Sequence, residues 1–367
     1  MKKLLSAALV LCMALSLTVT AFASTAGYDN FQVVTNESTK YTDVSNDYWA
    51  ASVIASCHQY GLMNGTGSGR FEPKSQLTVA QALVMADRVH EIYATGATTL
   101  TNGTPWYQPY VDYAIKSGII KSGDFSDYNR AITRAEMAYV FYNSLPENAL
   151  PNNNGITSIP DVKATDPHYA EILALYNVGA LTGSDIYGTF KPNDNIIRAE
   201  AAAILARVAL PQERKEVVLF KDVTILGNVK LAVPTDLTAS TQDGVIILSP
   251  SSSQALVIAL SDTDDIYSSG DITIISPDQM NSILETALAS QGQSGRFDKT
   301  EAVSYGAVKA YRSTGSAVFN GVPAESVVVS YISGSTLSMI FFIDVGDGSL
   351  LSSMTGSLTI GGASVSK

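Results

Sequence analysis

The sequence of 367 residues is poor in cysteine, histidine and basic side chains. It has two cysteines, Cys12 and Cys57, and three histidines, none of which lies beyond His168. The chain beyond that point therefore offers no Ser-His-Asp triad, no Cys-His pair and no ordinary zinc site. With 23 basic against 34 acidic residues, the net charge of −11 argues against binding nucleic acid or an anionic membrane through bulk charge.

The first 23 residues are typical of a secretory signal peptide. Two lysines precede an apolar run at residues 4–19, and Ala21-Phe22-Ala23 is a small-x-small cleavage site. A retained membrane anchor is the alternative, although the run is short for a spanning helix. Cleavage removes Cys12 and leaves Cys57 without an internal disulfide partner. Its place on a helical stripe predicts a buried thiol rather than a reactive one.

One four-residue motif then occurs three times. It reads Thr133-Arg134-Ala135-Glu136, Ile197-Arg198-Ala199-Glu200 and, in a weaker copy, Thr78-Val79-Ala80-Gln81. Apolar residues at i, i+3, i+4 and i+7 follow each copy and predict a helix with one buried face. Thr followed three residues later by Glu or Gln is a capping box, so each motif is a predicted helix start. Arg134 and Arg198 fall on the first turn, where we expect them to point outward beside amides that favour anions.

Each motif begins the last predicted helix of a longer repeat. The first copy contains Tyr41-Thr42-Asp43-Val44, Trp49, Gly61 and Phe71-Glu72-Pro73; the second contains Trp106, Gly118 and Phe125; the third contains Pro160-Asp161-Val162, Gly179 and Phe190-Lys191-Pro192. A recurrence of roughly 55 to 65 residues indicates supersecondary units that share a core. Each unit is predicted as helix, glycine-rich loop, helix. The three glycines are expected to end the first helix in a left-handed conformation.

From Val217 the pattern changes to β-branched runs. Residues 244–248, 256–260, 327–331 and 338–343 are predicted strands, residues 277–290 a helix, and residues 352–360 a short helix end and strand. This order predicts an α+β domain on an antiparallel sheet, loosely similar to the PsbP/Mog1-like sandwich. Asp262, Asp264 and Asp265 lack the length and closing Glu of a calcium loop, which favours a solvated turn over a calcium site.

The repeat pattern resembles the S-layer homology (SLH) module, in three consecutive copies over residues 41–210. The resemblance implies a three-lobed all-α bundle that binds pyruvylated secondary cell-wall polysaccharide in grooves between lobes. In that family the motif Arg holds the pyruvyl carboxylate, and motif Asp and Trp residues line the groove. Carried onto this chain, these ligand-binding roles fall on Arg134, Arg198, Trp49, Trp106, Asp43 and Asp161.

No repeat matches the family pattern completely. Val79 replaces the Arg in repeat one, Leu100 replaces the Asp in repeat two, and Pro167 stands at the Trp position in repeat three, with Tyr169 as the nearest aromatic residue. The sequence therefore leaves open which composite grooves are whole. It also leaves open plainer roles: core packing for the tryptophans, capping of the first helix for the aspartates, and solvated charge for the arginines. Glu136 and Glu200 are expected to be structural.

The predicted chain is thus multidomain: signal peptide 1–23, leader 24–40, SLH repeats 41–95, 96–145 and 146–210, linker 211–216 and α+β domain 217–367. We expect a secreted cell-wall or S-layer protein, anchored noncovalently to the polysaccharide and displaying an interaction or structural domain. We expect no catalytic residues, metal or cofactor, and no membrane insertion after signal cleavage. The alternative is a wall-attached extracellular polysaccharide hydrolase, for which paired carboxylates in the C-terminal domain remain conceivable.

Overall fold

The computed structural model describes residues 26–35, 41–242, 244–250, 254–290, 293–319 and 321–366. The predicted signal peptide and, in the leader, residues 24, 25 and 36–40 lie outside these residues. The chain forms two compact units, one reaching to Thr182 and including Phe190–Val217, the other comprising Gly183–Thr189 and the chain from Val218 onward. In the described part of the chain, no helix has both the length and the apolar character needed to cross a bilayer.

The first unit is all-α, with two helices for each sequence repeat. They are α1 (Ala51–Gln59) and α2 (Val79–Thr95), α3 (Gln108–Lys116) and α4 (Arg134–Tyr142), and α5 (Tyr169–Asn177) and α6 (Arg198–Ala209). Capping boxes start α2 at Thr78 and α4 at Thr133, as predicted, whereas Ile197 has no side-chain oxygen to cap α6. The three predicted left-handed glycines have φ values of 69°, 77° and 81°. The fold expected of the repeats is confirmed.

A closed ring of three backbone hydrogen bonds joins the repeats at their centre. The Leu77 amide donates to the Ile196 carbonyl at 3.0 Å, and the Ile196 amide donates to the Ile132 carbonyl at 3.3 Å. The Ile132 amide returns to the Leu77 carbonyl at 2.9 Å. All three side chains are fully buried. The burial of each side chain stabilises the unit by about 1.5–3 kcal/mol. Because each repeat occupies one position of the ring, the unit has three lobes.

Two further contacts complete the first unit. Tyr28, just after the start of the described chain, donates to the Ala149 carbonyl at 2.8 Å and accepts a hydrogen bond from the Arg214 guanidinium. Cys57 is fully buried on α1, with its Sγ 3.3 Å from the Ala202 carbonyl. Burial raises the pKa of this thiol to about 12, so it is protonated and behaves as a small core residue, as predicted.

The second unit carries an antiparallel sheet of eleven strands within the described residues. The strands are β1 (Phe220–Ile225), β2 (Val229–Pro234), β3 (Thr238–Gln242), β4 (Val245–Ser249), β5 (Ala255–Thr263), β6 (Ser294–Tyr305), β7 (Val308–Phe319), β8 (Val322–Ser333), β9 (Thr336–Asp344), β10 (Thr359–Ile360) and β11 (Ala363–Ser366). Their spatial order is β1-β2-β10-β11-β6-β7-β8-β9-β5-β4-β3. Helices α7 (Pro277–Ser290) and α8 (Ser349–Ser357) complete the predicted α+β domain.

The sheet has an apolar core on each face. On one face Met280 and Leu284 of α7 pack with Phe297, Val328 and Phe341. The other core holds apolar side chains of α8 together with inward-facing residues of the sheet: Leu351, Met354, Leu231, Val257 and Phe342. Because alternate residues of a strand point to opposite faces, β8 and β9 contribute to both cores and are buried over most of their length.

Candidate functional site

The second helix of each repeat begins against the loop of another repeat. We call these contacts the first junction (α6 with repeat one), the second junction (α4 with repeat three) and the third junction (α2 with repeat two). The Arg198 and Ala199 amides of α6 donate to the Ser75 and Pro73 carbonyls at 2.9 and 3.0 Å. The same pairing joins α4 to Asp194 and Pro192, and α2 to Arg130 and Tyr128. The first amides of these helices are therefore already hydrogen-bonded. They are not available to an anion, because the neighbouring repeat satisfies these otherwise unpaired donors.

The motif aspartates hold the loop that precedes each second helix. Asp43 accepts hydrogen bonds from the Phe71 and Glu72 amides at 2.8 Å each, and Asp161 accepts from Phe190 and Lys191 at 2.8 and 2.7 Å. Neither aspartate caps the first helix of its repeat. Burial acts to raise the pKa of Asp43, but the two amide hydrogen bonds outweigh it and hold the pKa below its usual value. The aspartates thus fix the position of the Phe-x-Pro loop.

Arg198 is a buried residue with 4% exposure, which corrects the expectation that it points outward. Its Nε donates to the Phe71 carbonyl at 2.9 Å, and its Nη2 donates to the Asn64 carbonyl at 3.0 Å. The guanidinium lies 4.9 Å from the centre of the Phe71 ring, a cation–π distance. Burial lowers the pKa of Arg198, and the charges of Glu72, Tyr41 and Asp43 oppose that shift. The side chain is fixed by the carbonyls of repeat one.

Arg134 makes the equivalent contact with repeat three. Its Nε donates to the Phe190 carbonyl at 2.6 Å, and its guanidinium lies 5.1 Å from the Phe190 ring centre. The Arg134 side chain is 11% exposed, so it also does not project into solvent. Unlike Arg198, Arg134 also forms an ion pair with a carboxylate: its Nη1 lies 3.2 Å from Glu200 at the start of α6. The charge of this arginine is therefore paired within the protein.

The third junction lacks a motif arginine. Val79 at the start of α2 faces the loop of repeat two, where the Arg130 guanidinium lies 5.7 Å from the Phe125 ring centre. Arg130 also forms an ion pair of 2.6 Å with Glu136. Burial acts to raise the pKa of Glu136, but this ion pair and the Thr133 amide outweigh it and lower the pKa. Glu136 is therefore structural, as expected.

The first junction contains a pocket of about 260 Å³. Arg198 of repeat three and Trp106 of repeat two line it, together with the Asn64–Thr66 loop of repeat one. Residues spaced along one face of α2 complete the lining: Gln81, Val84, Met85 and Arg88. The structure thus brings together two of the predicted ligand-binding residues, and all three repeats contribute to one site.

The lining of this pocket carries two guanidinium groups and no carboxylate. Gln81 occupies the third helical position of α2, where repeats two and three have Glu136 and Glu200. Its amide oxygen accepts from the Thr78 amide and keeps the capping box intact. No described carboxylate forms an ion pair with Arg198 or Arg88, in contrast to Arg134 and Arg130. In a chain of net charge −11, the pocket is locally cationic.

The two tryptophans are exposed rather than part of the core, with 59% exposure for Trp49 and 39% for Trp106. Trp106 precedes α3, which packs on α2, and it lies at the cationic pocket. Trp49 precedes α1, which packs on α6. Applied to repeat one, the arrangement seen for Trp106 predicts that Trp49 lies at the second junction, where Arg134 is paired with Glu200. The predicted residues therefore divide between two grooves of different charge.

Arg88 and Gln81 are the site residues that the sequence reasoning missed. The sequence reasoning gave Gln81 a capping role only and did not single out Arg88, and neither residue belongs to the motif set. A comparison of the three repeats could have indicated Gln81, since the acidic residue of the four-residue motif is replaced by Gln in repeat one alone. Their approach to Arg198 depends on how the repeats close around the centre, which spacing along the chain does not reveal.

A ring of three helix pairs with composite grooves defines a modular binding unit. The family model of the S-layer homology domain matches residues 40–83 and 158–202 of this chain. The chain therefore contains S-layer homology domains, and it is a protein of the cell surface, at the S-layer or cell wall. The second helix pair, outside the matched segments, occupies the remaining position of the central ring.

Curated relatives match part of the chain. The S-layer protein sap of Bacillus anthracis is 26% identical over 174 residues, which cover 46% of this chain and 21% of that protein. Exoglucanase XynX of Acetivibrio thermocellus is 28% identical over 203 residues, covering 50% of this chain and 18% of that protein. The chain thus spans about a fifth of the length of these relatives.

Among solved structures, cyanobacterial PsbP from Synechocystis is similar at a TM-score of 0.33 and 11% identity, covering 38% of this chain and 92% of that structure. The score is too low to support an argument about the second unit.

Proposed function

We propose that the protein is held noncovalently on the bacterial wall by its S-layer homology domains, which bind acidic, pyruvylated secondary cell-wall polysaccharide. The observation that carries this proposal is the pocket shared by all three repeats, with two arginines, an exposed tryptophan and no carboxylate in its lining. A guanidinium fixed by backbone carbonyls presents its remaining N–H groups to an anion. The tryptophan ring offers an apolar face to the C–H groups of a sugar.

In this proposal the first junction is the principal binding groove. Arg198 holds the carboxylate, Trp106 packs on the sugar ring, and Asp43 keeps the Phe71 loop in place beneath Arg198. In the second groove Glu200 competes for Arg134, which weakens binding of an external carboxylate there. The second unit is then displayed on the surface as an interaction or structural domain.

A sedimentation assay tests the anchor. Mature protein should sediment with purified sacculi that carry their secondary polymer, and it should remain in solution once mild acid has stripped the polymer. The Trp106→Ala variant should bind more weakly while melting at the wild-type temperature, because its side chain is partly exposed. Equal binding to stripped and intact sacculi would contradict the proposal.

The alternative is a wall-attached polysaccharide hydrolase whose catalytic residues lie in the second unit. The relatives named exoglucanase and amylopullulanase favour it, since similar segments occur in those proteins. Release of reducing sugar from purified wall polysaccharide distinguishes the two functions. We expect none from the purified full chain, and release that is lost when a single carboxylate of the second unit is replaced would establish the alternative.

A further inference from the structure

Arg88 is a basic residue at the pocket that the repeat motif does not explain. It lies on α2 one turn after Val84 and Met85, on the face that lines the pocket. Among the described residues, Arg88 takes part in no hydrogen bond or ion pair. Burial lowers the pKa of its guanidinium, with Tyr110 and Glu91 opposing that shift. The Arg88 guanidinium is therefore partly buried at the pocket with no hydrogen-bond or ion-pair partner in the described chain, and its N–H groups are available to a ligand.

The acidic residues nearest in sequence do not pair with Arg88. Asp87 is fully buried, and neither of its carboxyl oxygens has a hydrogen-bond partner among the described residues. Burial raises the pKa of Asp87 to about 9, with the charge of Glu91 acting in the same direction. Asp87 is therefore neutral at neutral pH. Glu91 accepts hydrogen bonds from the Thr99 hydroxyl and amide at 2.6 and 3.1 Å, so its oxygens are directed to the loop after α2.

Repeat three provides a structural comparison. Arg207 follows Ile197 by ten residues, as Arg88 follows Thr78. Arg207 donates from Nη1 to the Ala180 carbonyl at 3.3 Å, which ties α6 to the glycine-rich loop of its own repeat. Arg88 makes no such bond to Leu62, the residue equivalent to Ala180, in the part of the chain that the structure describes. The same sequence position therefore has a packing role in repeat three and faces the pocket in repeat one.

We propose that Arg88 is a second ligand-binding cation of the groove, and that the groove takes a glycan segment carrying two negative charges. One negative charge of the ligand contacts Arg198, whose guanidinium is fixed by two carbonyls. The other contacts Arg88, whose guanidinium has no hydrogen-bond partner among the described residues. The inference rests on the proposed wall-polysaccharide function and specifies the charge of its ligand. A pocket of about 260 Å³ limits both charges to one sugar residue or two adjacent residues.

Binding isotherms on intact sacculi at low and high salt test this inference. Full-length mature Arg88→Met should bind about tenfold more weakly than wild type at low salt, because one charged contact is lost. Its affinity should also depend on salt about half as steeply, since screening acts on one ion pair instead of two. Arg88→Lys should retain the wild-type salt dependence with a smaller loss of affinity.

Arg207→Met is the matched control for a structural effect. It removes the equivalent arginine together with a hydrogen bond, and it should bind as wild type does at every salt concentration. If Arg88→Met overlays the wild-type isotherms, or if its loss follows its melting temperature and is shared by Arg207→Met, the inference is wrong while the anchor remains. If wild type itself does not bind intact sacculi, the proposed function fails instead.

Discussion

Glu200 holds the Arg134 guanidinium in an ion pair of 3.2 Å across the second and third repeats. At the first junction the residue in the position of Glu200 is Gln81, and Arg198 has no ion pair with a described carboxylate. The two grooves share an arginine, a phenylalanine ring and an aspartate that fixes the loop. A single acidic or neutral residue at the third helical position therefore sets the charge of each groove.

Glu200→Gln should convert the second groove into a binding site. The substitution releases Arg134, and the repeat arrangement predicts Trp49 at the same groove, so affinity for intact sacculi should rise. The ion pair is partly exposed, and the free energy of unfolding should change by less than about 1 kcal/mol. Adding Trp49→Ala should abolish the gain. Unchanged affinity in Glu200→Gln would show that the ion pair does not control this groove.

Gln81→Glu is the reciprocal change and should abolish binding at the first groove. The new carboxylate stands beside Arg198 as Glu200 stands beside Arg134, and it repels an anionic ligand. The capping box is retained, because Glu136 makes the same backbone contact in repeat two. We therefore expect an unchanged melting temperature and at least about tenfold weaker sedimentation with sacculi. Wild-type binding by this variant would exclude Arg198 as the main anion contact.

Arg198→Met should weaken the fold as well as binding. The substitution leaves the Phe71 and Asn64 carbonyls without their donor, at a cost of about 1–3 kcal/mol in the free energy of unfolding. Urea titration measures the loss. Arg70→Met is the control near the same loop, since the Arg70 side chain is 57% exposed and lies 3.6 Å from Asp43. Its effect should be below about 1 kcal/mol, and equal losses in both variants would contradict the structural role of Arg198.

Asp87 makes the free energy of unfolding depend on pH between its usual pKa of 3.8 and its folded-state pKa of about 9. The pKa of Asp87 is about 9 in the folded protein against a usual value of 3.8. Stability from this neutral carboxyl is therefore full below about pH 4 and declines as the pH rises toward 9. Asp87→Asn cannot ionise, so its free energy of unfolding at pH 8 should exceed that of the wild type by roughly 5 kcal/mol, at about 1.4 kcal/mol for each pH unit above 3.8. The gain should vanish below pH 4; a gain of equal size at both pH values would exclude ionisation as its cause.

Much of the helical unit could be predicted, because the signals are local. The helix starts at Thr78 and Thr133 follow from capping boxes, and the helix at Pro277–Ser290 follows from apolar spacing. Strands β4, β5, β8 and β9 were found from their β-branched runs. Strands β3 and β6 were not, because their residues are largely polar and exposed, so they lack the alternation that marks a buried face.

The site was harder to predict because its geometry arises between repeats. The sequence identified Arg198 and Trp106, and the structure places both at one pocket. It did not indicate that Arg198 is buried, because a charged residue on the first turn of a helix usually faces solvent. The carbonyls that make burial possible belong to Phe71 and Asn64, far away in the chain. Long-range closure, rather than local propensity, determined the outcome.

The ring of amide bonds through Leu77, Ile132 and Ile196 has a consequence for truncated forms. A linear array of repeats that loses an end member gives up one interface and exposes a face that a capping repeat can cover. A closed ring that loses any member gives up two interfaces at once. Shortened versions with one or two helix pairs should therefore not persist as independent folded anchors, and loss of a pair should remove attachment altogether rather than reduce it by a third.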